Sequence, residues 1–368
     1  MQPAEGIKVL SRSGTTGNSR VFVLLSVLVA LSGWTTVPAA GQDALGDADF
    51  RNSGAPEAQE PFRRGLLLLH NFEYADARAA FLEARRRDPA FAMAYWGEAL
   101  TYDHPLWGEE DLDAARDALA KLDRAMKETP VSATPESSQS SHRASGASGP
   151  TSRELAYIDA VRTLFGEGPK AERDARYAAA MGEIAKRYSD DADAAALHAL
   201  ALLGTAEDGR DFTIYMKAAA VLEELIDRHP RHPGALHYMI HAYDDPVHAP
   251  LGLRAAEAYA EVAADAVHAL HMPSHIFFAL GMWDDVARMN ERSWRASIER
   301  AERQELGPDA YSYHALWWLH YAHLQRGRMD EAGRLLDVAR EALAESGAGT
   351  IRYHLQQMRA AHIVADPA

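Results

Sequence analysis

Histidine side chains recur in the second half of this chain at spacings that suit metal binding. The sequence has 17 histidines, and eleven of them lie within residues 229–323. Residues four apart share one face of a helix, so His237 and His241 form one stacked pair and His271 and His275 form a second. Neutral imidazole is a ligand for Zn, Cu, Ni or Fe. The pairs therefore predict a transition-metal site.

Neighbouring side chains extend this candidate site. His268 lies one helical turn before His271, and two carboxylates that would complete a mixed nitrogen and oxygen ligand set follow His241. The predicted metal ligands are His237, His241, His268, His271, His275, Asp244 and Asp245. The side chains predicted to line the same groove and contact a ligand are His248, Ser274 and His314.

Several established reaction classes lack their residues in this sequence. The interior of the His237–His241 pair holds no glutamate, so the zinc-protease signature is absent. There is no cysteine, which excludes thiolate metal sites, disulfides and a cysteine nucleophile. An alternative serine triad of Ser274, His275 and Asp245 has residues of the right types, but the sequence does not determine their geometry.

The remaining histidines of interest are interpreted as structural residues. An isolated histidine in a helix usually serves packing or the surface, and His70, His229, His232 and His362 are interpreted in this way. His320 and His323 fall at packing positions of their helix and are interpreted as core residues.

The elements that position these side chains are predicted to be helices. Apolar residues make up 47% of the chain, alanine is abundant, and no run of alternating β-branched residues is present. Short antiparallel helix pairs recur at intervals of about 34 residues, which is typical of a helical repeat array. The predicted pairs are 66–70 with 74–86, 93–101 with 112–127, 155–165 with 171–188, 192–203 with 212–228, and then 236–264, 267–299 and 310–345, followed by a capping helix at 351–364.

The residue types at the helix crossings match a known repeat. The first unit carries Gly65, Ala77, Phe81, Ala84 and Pro89, and the last carries Gly327, Met329, Ala332, Leu336 and Ala339 in the same spacing. In these features the chain resembles the tetratricopeptide repeat superfamily over most of residues 57–345. The resemblance implies an all-α solenoid of about seven antiparallel helix pairs plus a C-terminal capping helix.

The resemblance also implies a place for the histidines. Alignment of the repeats through Pro230 and Gly281 puts both pairs at the fifth and ninth positions of a first helix. In this superfamily these positions, together with the second, line the concave groove, so imidazoles from adjacent first helices are expected to converge. The segment 268–278 (HALHMPSHIFF) looks like a motif shared by bacterial exported tetratricopeptide proteins, and Pro273 within it predicts a kink.

The chain is predicted to comprise a secretory targeting segment, a lead-in, and two helical segments separated by a linker. Residues 1–41 resemble a cleavable secretory signal: Lys8, Arg12 and Arg20 precede the apolar run 21–31, and small residues follow at 37–39. An uncleaved N-terminal anchor is the alternative. Residues 42–56 are interpreted as a flexible lead-in, 57–129 as N-terminal helices, 130–152 as a disordered Ser/Pro/Gly linker, and 153–368 as the solenoid with the histidine-rich groove.

These features lead to three functional hypotheses for an exported protein of the periplasm or extracellular space. The first is a module that binds a protein, a peptide or a small molecule in the groove, directly or through a His-ligated metal. The second is a metal-dependent enzyme with about three protein ligands and an open coordination position. The third is a structural scaffold of the cell envelope. The net charge of −15 disfavours nucleic acid and anionic membranes as partners, and no membrane insertion is expected after signal cleavage.

Overall fold

The protein is described by a computed structural model that covers residues 44–128, 149–206 and 209–366. Residues 43–368 belong to one compact unit. The predicted signal segment and most of the predicted linker lie outside the described residues. Within the part that is described, no helix is both long enough and apolar enough to cross a membrane.

The described residues form an all-α array of antiparallel helix pairs, as predicted. The helices are α1 (Pro56–His70), α2 (Tyr74–Arg87), α3 (Ala92–Leu100), α4 (Leu112–Glu128), α5 (Ser152–Leu164), α6 (Lys170–Arg187), α7 (Ala192–Gly204), α8 (Phe212–Arg228), α9 (Pro233–Tyr243), α10 (Ala249–Val262), α11 (Val267–His271), α12 (Pro273–Ala279), α13 (Trp283–Arg303), α14 (Tyr313–Gln325), α15 (Met329–Ser346) and α16 (Gly349–Ala365). Consecutive helices form seven tetratricopeptide-like pairs, in which α11 and α12 together make the first helix of the sixth pair, and α16 caps the stack.

Small residues let the helices of the first pairs approach closely. Phe81 of α2 is fully buried, and its ring packs against Gly65 of α1 and Gly97 of α3. A β-carbon added at Gly97 would lie 2.4 Å from the Phe81 ring, and one at Gly65 would lie 2.9 Å from it. The ring therefore occupies the space that a side chain at either glycine would need, which explains the glycine and phenylalanine spacing of this repeat.

Two segments differ from the expectations of the sequence. A short antiparallel hairpin, β1 (Asp103–His104) with β2 (Glu109–Glu110), lies between α3 and α4, where only a loop was expected. Residues 44–55 have no helix or strand but do not behave as a free lead-in, since Leu45 and Phe50 are buried in the core. The composition of this segment predicted flexibility because the segment has few apolar residues. Two of those few, Leu45 and Phe50, pack in the core.

The array closes so that its first pair contacts its fifth and sixth pairs. The hydroxyl of Tyr259 on α10 donates a 2.7 Å hydrogen bond to Oδ1 of Asn71, and both groups are buried. Arg300 of α13 makes two 2.7 Å hydrogen bonds to the Asp76 carboxylate on α2. In an open solenoid each repeat would contact only its neighbours. Closure instead brings residues of the first pair onto the concave face formed by the fifth and sixth pairs.

The tight crossing at Phe81 gives a stability prediction. Gly97→Ala is expected to destabilise the fold by about 1–3 kcal/mol, because the added methyl group overpacks the Phe81 ring. The matched control is Gly333→Ala in α15, where nothing lies within 4 Å of the added carbon and alanine should stabilise the helix by about 0.5–1 kcal/mol. Urea unfolding of both variants measures the difference. Equal effects at the two positions would contradict this account of the packing.

Candidate metal centre

Three histidines from two neighbouring first helices meet in a cluster that we name triad A. It consists of His237 and His241 on α9 and His268 on α11. The Nε2 atom of His237 lies 3.1 Å from Nε2 of His241 and 3.1 Å from Nε2 of His268. The i,i+4 spacing thus brings the first two rings together, and the stacking of adjacent pairs adds the third.

A second cluster, triad B, repeats this arrangement one helix pair further along. It consists of His271 on α11, His275 on α12 and His314 on α14. The Nε2 atoms of His271 and His275 lie 3.1 Å apart, and the rings of His271 and His314 have centroids 4.6 Å apart. The helix is interrupted at Met272, with Pro273 starting α12, at the place where proline removes a backbone donor.

The two triads are neighbours, but they do not form a single cluster. The His241 and His275 ring centroids are 6.3 Å apart, and so are those of His268 and His271. The atoms that come within 4.8 Å of one another are those of each triad separately. The sequence grouped both pairs around one centre, whereas the structure places them at two adjacent centres, each completed by a histidine of the following first helix.

The other predicted site residues lie around the triads rather than in them. The Asp244 carboxylate accepts a 2.8 Å hydrogen bond from Nδ1 of His275, on the far side of that ring from triad B. Asp245 contacts His248 at 2.9 Å and Arg210 at 3.0 Å. Neither carboxylate belongs to a triad, because both are held by hydrogen bonds to other side chains.

Ser274 does not form the alternative serine triad. Its hydroxyl is buried and donates a 2.6 Å hydrogen bond to the backbone carbonyl of His271, one turn earlier in the chain. Asp245, the proposed acid, contacts His248, while the Nδ1 atom of His275 contacts Asp244 instead. The serine therefore supports the interrupted helix and has no histidine base.

Outer hydrogen bonds decide which ring nitrogen carries the proton. Nδ1 of His237 donates to the carbonyl of His70 at 2.7 Å. Nδ1 of His271 donates to Oδ1 of Asn290 at 2.7 Å, and the Asn290 amide is oriented because its Nδ2 donates to the Val286 carbonyl. In the neutral ring the other nitrogen, Nε2, then has no proton and offers a lone pair. Such outer partners are the usual feature of metal-binding histidines.

Within triad B this places two lone pairs face to face. His271 and His275 both hold a proton on Nδ1, so their Nε2 atoms, 3.1 Å apart, cannot hydrogen-bond to each other in the neutral state. A cation between them removes the repulsion. Two nitrogen ligands of a tetrahedral ion, each about 2.0–2.1 Å from it, lie about 3.3 Å apart. The observed separation is close to that value.

Burial favours the neutral form of His237, His241, His268, His271 and His314. Burial, partly offset by the hydrogen bond to His70, lowers the pKa of His237 to about 3. Burial and the neighbouring imidazoles also lower the pKa of His241, His268 and His271 well below the usual histidine value. Neutral imidazole is the form that binds a metal, so these rings need not lose a proton to bind one at neutral pH.

A third cluster of His70, Asp193 and His232 has the opposite proton arrangement. Nδ1 of His232 accepts a 3.2 Å hydrogen bond from the Ala235 backbone N–H, so the His232 proton lies on Nε2 and points to Oδ1 of Asp193 at 3.3 Å. Nε2 of His70 lies 2.9 Å from the same oxygen, and all three side chains are buried. Hydrogen bonds account for both imidazoles and for Oδ1 of Asp193, whereas the buried Oδ2 atom has no hydrogen-bond partner among the described residues. The cluster holds the His70 backbone against His237.

No spacing in the sequence pointed to this third cluster. His70, Asp193 and His232 come from α1, α7 and the start of α9, so no spacing within one helix connects them. The interpretation of His70 and His232 as structural residues agrees with their hydrogen bonding. Gly234 also contributes, since a β-carbon there would lie 2.4 Å from Nδ1 of His70. Only the closure of the array brings these elements together.

Both triads face a cavity of about 720 Å³. Its wall includes His241 and His268 of triad A and all three histidines of triad B. The rest of the wall is mixed. It has the rings of Phe72, Tyr74, His104, Trp107 and Tyr215, together with the charged side chains of Glu73, Glu109, Arg210 and Asp244. The hairpin between α3 and α4 carries Trp107, whose side chain is 54% exposed, to this wall. The candidate ligands therefore open onto a space that admits a small molecule.

Comparisons with known proteins add little to this geometry. No protein-family model and no curated protein sequence matches the chain. The crystal structure of yeast Tom70 is similar at 14% identity and a TM-score of 0.34, over 88% of this chain and 67% of that one. The TPR domain of P58(IPK) is similar at 14% identity and a TM-score of 0.23, over 84% of this chain and 89% of that domain.

The proton arrangement can be tested without any metal. In the metal-free protein at neutral pH, the rings of His237 and His271 are expected to be Nδ1–H tautomers, and the ring of His232 is expected to be the Nε2–H tautomer. Histidine ring 15N chemical shifts distinguish the two forms, and single His→Gln variants assign the signals. An Nε2 proton on His237 or His271 would contradict the outer hydrogen bonds described above.

Proposed function

We propose that the protein is a metal-dependent enzyme whose centre holds two transition-metal ions, one at triad A and one at triad B. The observation that carries this proposal is the orientation of the imidazoles. The Nδ1 atoms of His237, His271 and His275 are engaged by the His70 carbonyl, Asn290 and Asp244. The Nε2 atom of each of these rings lies 3.1 Å from an Nε2 atom of a neighbouring triad histidine. This is the arrangement of a histidine metal site with its outer hydrogen bonds in place.

The ligand chemistry narrows the choice of metal. Each triad offers three imidazole nitrogens, and neither includes a carboxylate. Mg, Ca and Mn prefer oxygen ligands, and non-haem iron oxygenases typically use two histidines with one carboxylate. An all-imidazole set suits Cu or Zn best, with Ni as a further candidate. We therefore propose copper or zinc as the resident ions.

An enzyme is favoured over a closed metal-binding module by the number of ligands and by the cavity. Three protein ligands leave a coordination position open, which is typical of catalytic rather than structural sites. The adjoining volume, about 720 Å³, lies in the range of small-molecule sites. When bound, the ions would polarise a substrate or activate water. The rings and the charged side chains of the wall would contact the substrate beside them.

The hypothesis of a peptide-binding groove has less support from the geometry. A peptide ligand needs an extended concave surface, as in open solenoids. Here the first pair contacts the fifth and sixth pairs, and these contacts interrupt the concave surface beside the cavity. We therefore propose a small molecule as the groove ligand. Export to the periplasm or the extracellular space, through the segment 1–41, is part of the same proposal.

Metal analysis of the purified mature protein tests the proposed centre. After loading with Cu²⁺ or Zn²⁺ and removal of free metal, the wild type should retain two ions per chain. His237→Ala should retain only the ion of triad B, His271→Ala only the ion of triad A, and the double variant neither. The matched control is His229→Ala, an exposed histidine outside both triads, which should retain two.

Two results of this metal analysis would contradict the proposed centre. Circular dichroism establishes that each variant is folded before its metal content is compared. If the folded wild type retains no ion after loading, or if the double variant retains as many as the wild type, the metal centre is not built from these triads.

A further inference from the structure

Phe72 has a backbone conformation that phenylalanine rarely adopts. Its φ angle is +57°, and Phe72 and Glu305 are the two non-glycine residues with positive φ among the described residues. Side chains with a β-carbon are strained in this left-handed region, and helix ends that need it usually use glycine. A strained residue that persists in a folded protein is a reason to look for what its side chain does.

The turns after two other first helices hold glycine at this position, whereas a similar turn after α13 holds Glu305. Gly281 follows α12 with φ +70°, and Gly327 follows α14 with φ +67°. These two glycine turns and the turn at Phe72 share one hydrogen-bond pattern, in which the next residue donates to the carbonyl five positions earlier: Glu73 to Leu68, Met282 to Phe277 and Arg328 to His323. This is the Schellman arrangement. Phe72 thus occupies a position where two other repeats of this chain have glycine.

The ring of Phe72 packs on triad A. Its centroid lies 4.3 Å from that of His237, 5.7 Å from that of His268 and 5.9 Å from that of His241. The side chain is buried. The Phe72 ring therefore contacts every imidazole of the triad.

The residues on either side of Phe72 also contact this triad. The carbonyl of His70 accepts the Nδ1 proton of His237, and the Glu73 carboxylate accepts a 3.0 Å hydrogen bond from the backbone N–H of His268. The turn between α1 and α2 therefore contacts two of the three histidines by hydrogen bonds and all three by the Phe72 ring. The equivalent glycine turns after α12 and α14 lack a side chain that could do this.

We propose that Phe72 is a positioning residue of triad A, which holds the three imidazoles at ligating separations and keeps an apolar surface against the ion. This inference rests on the proposed metal centre. It explains why phenylalanine stands at a left-handed backbone position where glycine would relieve the strain. It also predicts that the ring of Phe72 affects the ion of triad A and leaves the ion of triad B unchanged.

The test measures the affinity of each ion in ring-less variants. Phe72→Leu keeps apolar volume, and Phe72→Gly adopts the turn without strain, so at least one variant should fold. Both are expected to weaken the ion of triad A by about 10- to 100-fold, the usual effect of losing an outer contact of a metal site. The visible spectrum of the Co²⁺-loaded protein should change for that ion alone. Phe72→Tyr keeps the ring and should retain wild-type affinity.

The matched control is Phe50→Leu. Phe50 has the same 8% exposure as Phe72 and lies in the same hydrophobic core, but it packs on Phe62, Trp96 and Tyr157. This variant should lose stability without changing either affinity. If the wild type binds two ions and both ring-less variants bind them with unchanged affinity and spectrum, Phe72 is only a core residue and the inference is wrong. If the wild type binds no ion, the proposed centre itself fails.

Discussion

The contact between the turn after α1 and the helices α9, α10 and α11 is the constraint on which the site depends. Asn71 at this turn is fully buried and satisfies its side chain with the Leu45 and Leu67 carbonyls and the Tyr259 hydroxyl. Opening the contact would leave these polar groups without partners or expose the core around them, at a cost of about 1–3 kcal/mol for each unsatisfied group. Closure of the array is therefore well specified, and it brings the first repeat onto triad A.

Closure also determines the chemistry of the histidines. In an open groove the imidazoles would be solvated and would protonate near their ordinary pKa. Packed beneath Phe72 and Tyr238 and beside each other, His237 and its partners in triad A have lowered pKa values because burial disfavours the charged form. The outer hydrogen bond from Nδ1 of His237 to the His70 carbonyl then leaves the Nε2 lone pair of His237 directed inward. The contacts that close the array therefore also favour the neutral form of these imidazoles, which is the form that binds a metal.

Much of the fold could be predicted from the sequence because its determinants are local. Helix periodicity, the glycines at crossings and the prolines at helix ends all act within one repeat, and the predicted pairs correspond to the observed ones. The histidine pairs could be found for the same reason. His237 and His241, like His271 and His275, are four residues apart and therefore lie on one face of a helix. The interruption before Pro273 follows from the missing N–H.

The remaining features depend on how separate repeats pack on one another, which no spacing within one helix encodes. The stacking of adjacent repeats decides that two triads form instead of one, that His314 completes the second, and that Asp244 approaches His275 from the outer side. Closure of the array decides that Phe72 reaches triad A. The left-handed backbone conformation of Phe72 could not be predicted from the sequence. The sequence shows only that glycine is absent at a turn where other repeats have one.

Anomalous diffraction from crystals of the metal-loaded protein, collected at the absorption edge of the bound metal, tests the central claim most directly. Two peaks per chain are expected. One lies about 2.0–2.1 Å from the Nε2 atoms of His237, His241 and His268, and the other lies at the same distance from the Nε2 atoms of His271 and His275 and from one ring nitrogen of His314. A single peak between the two triads, peaks at carboxylates such as Asp244 and Asp245, or no ordered peak would contradict this claim.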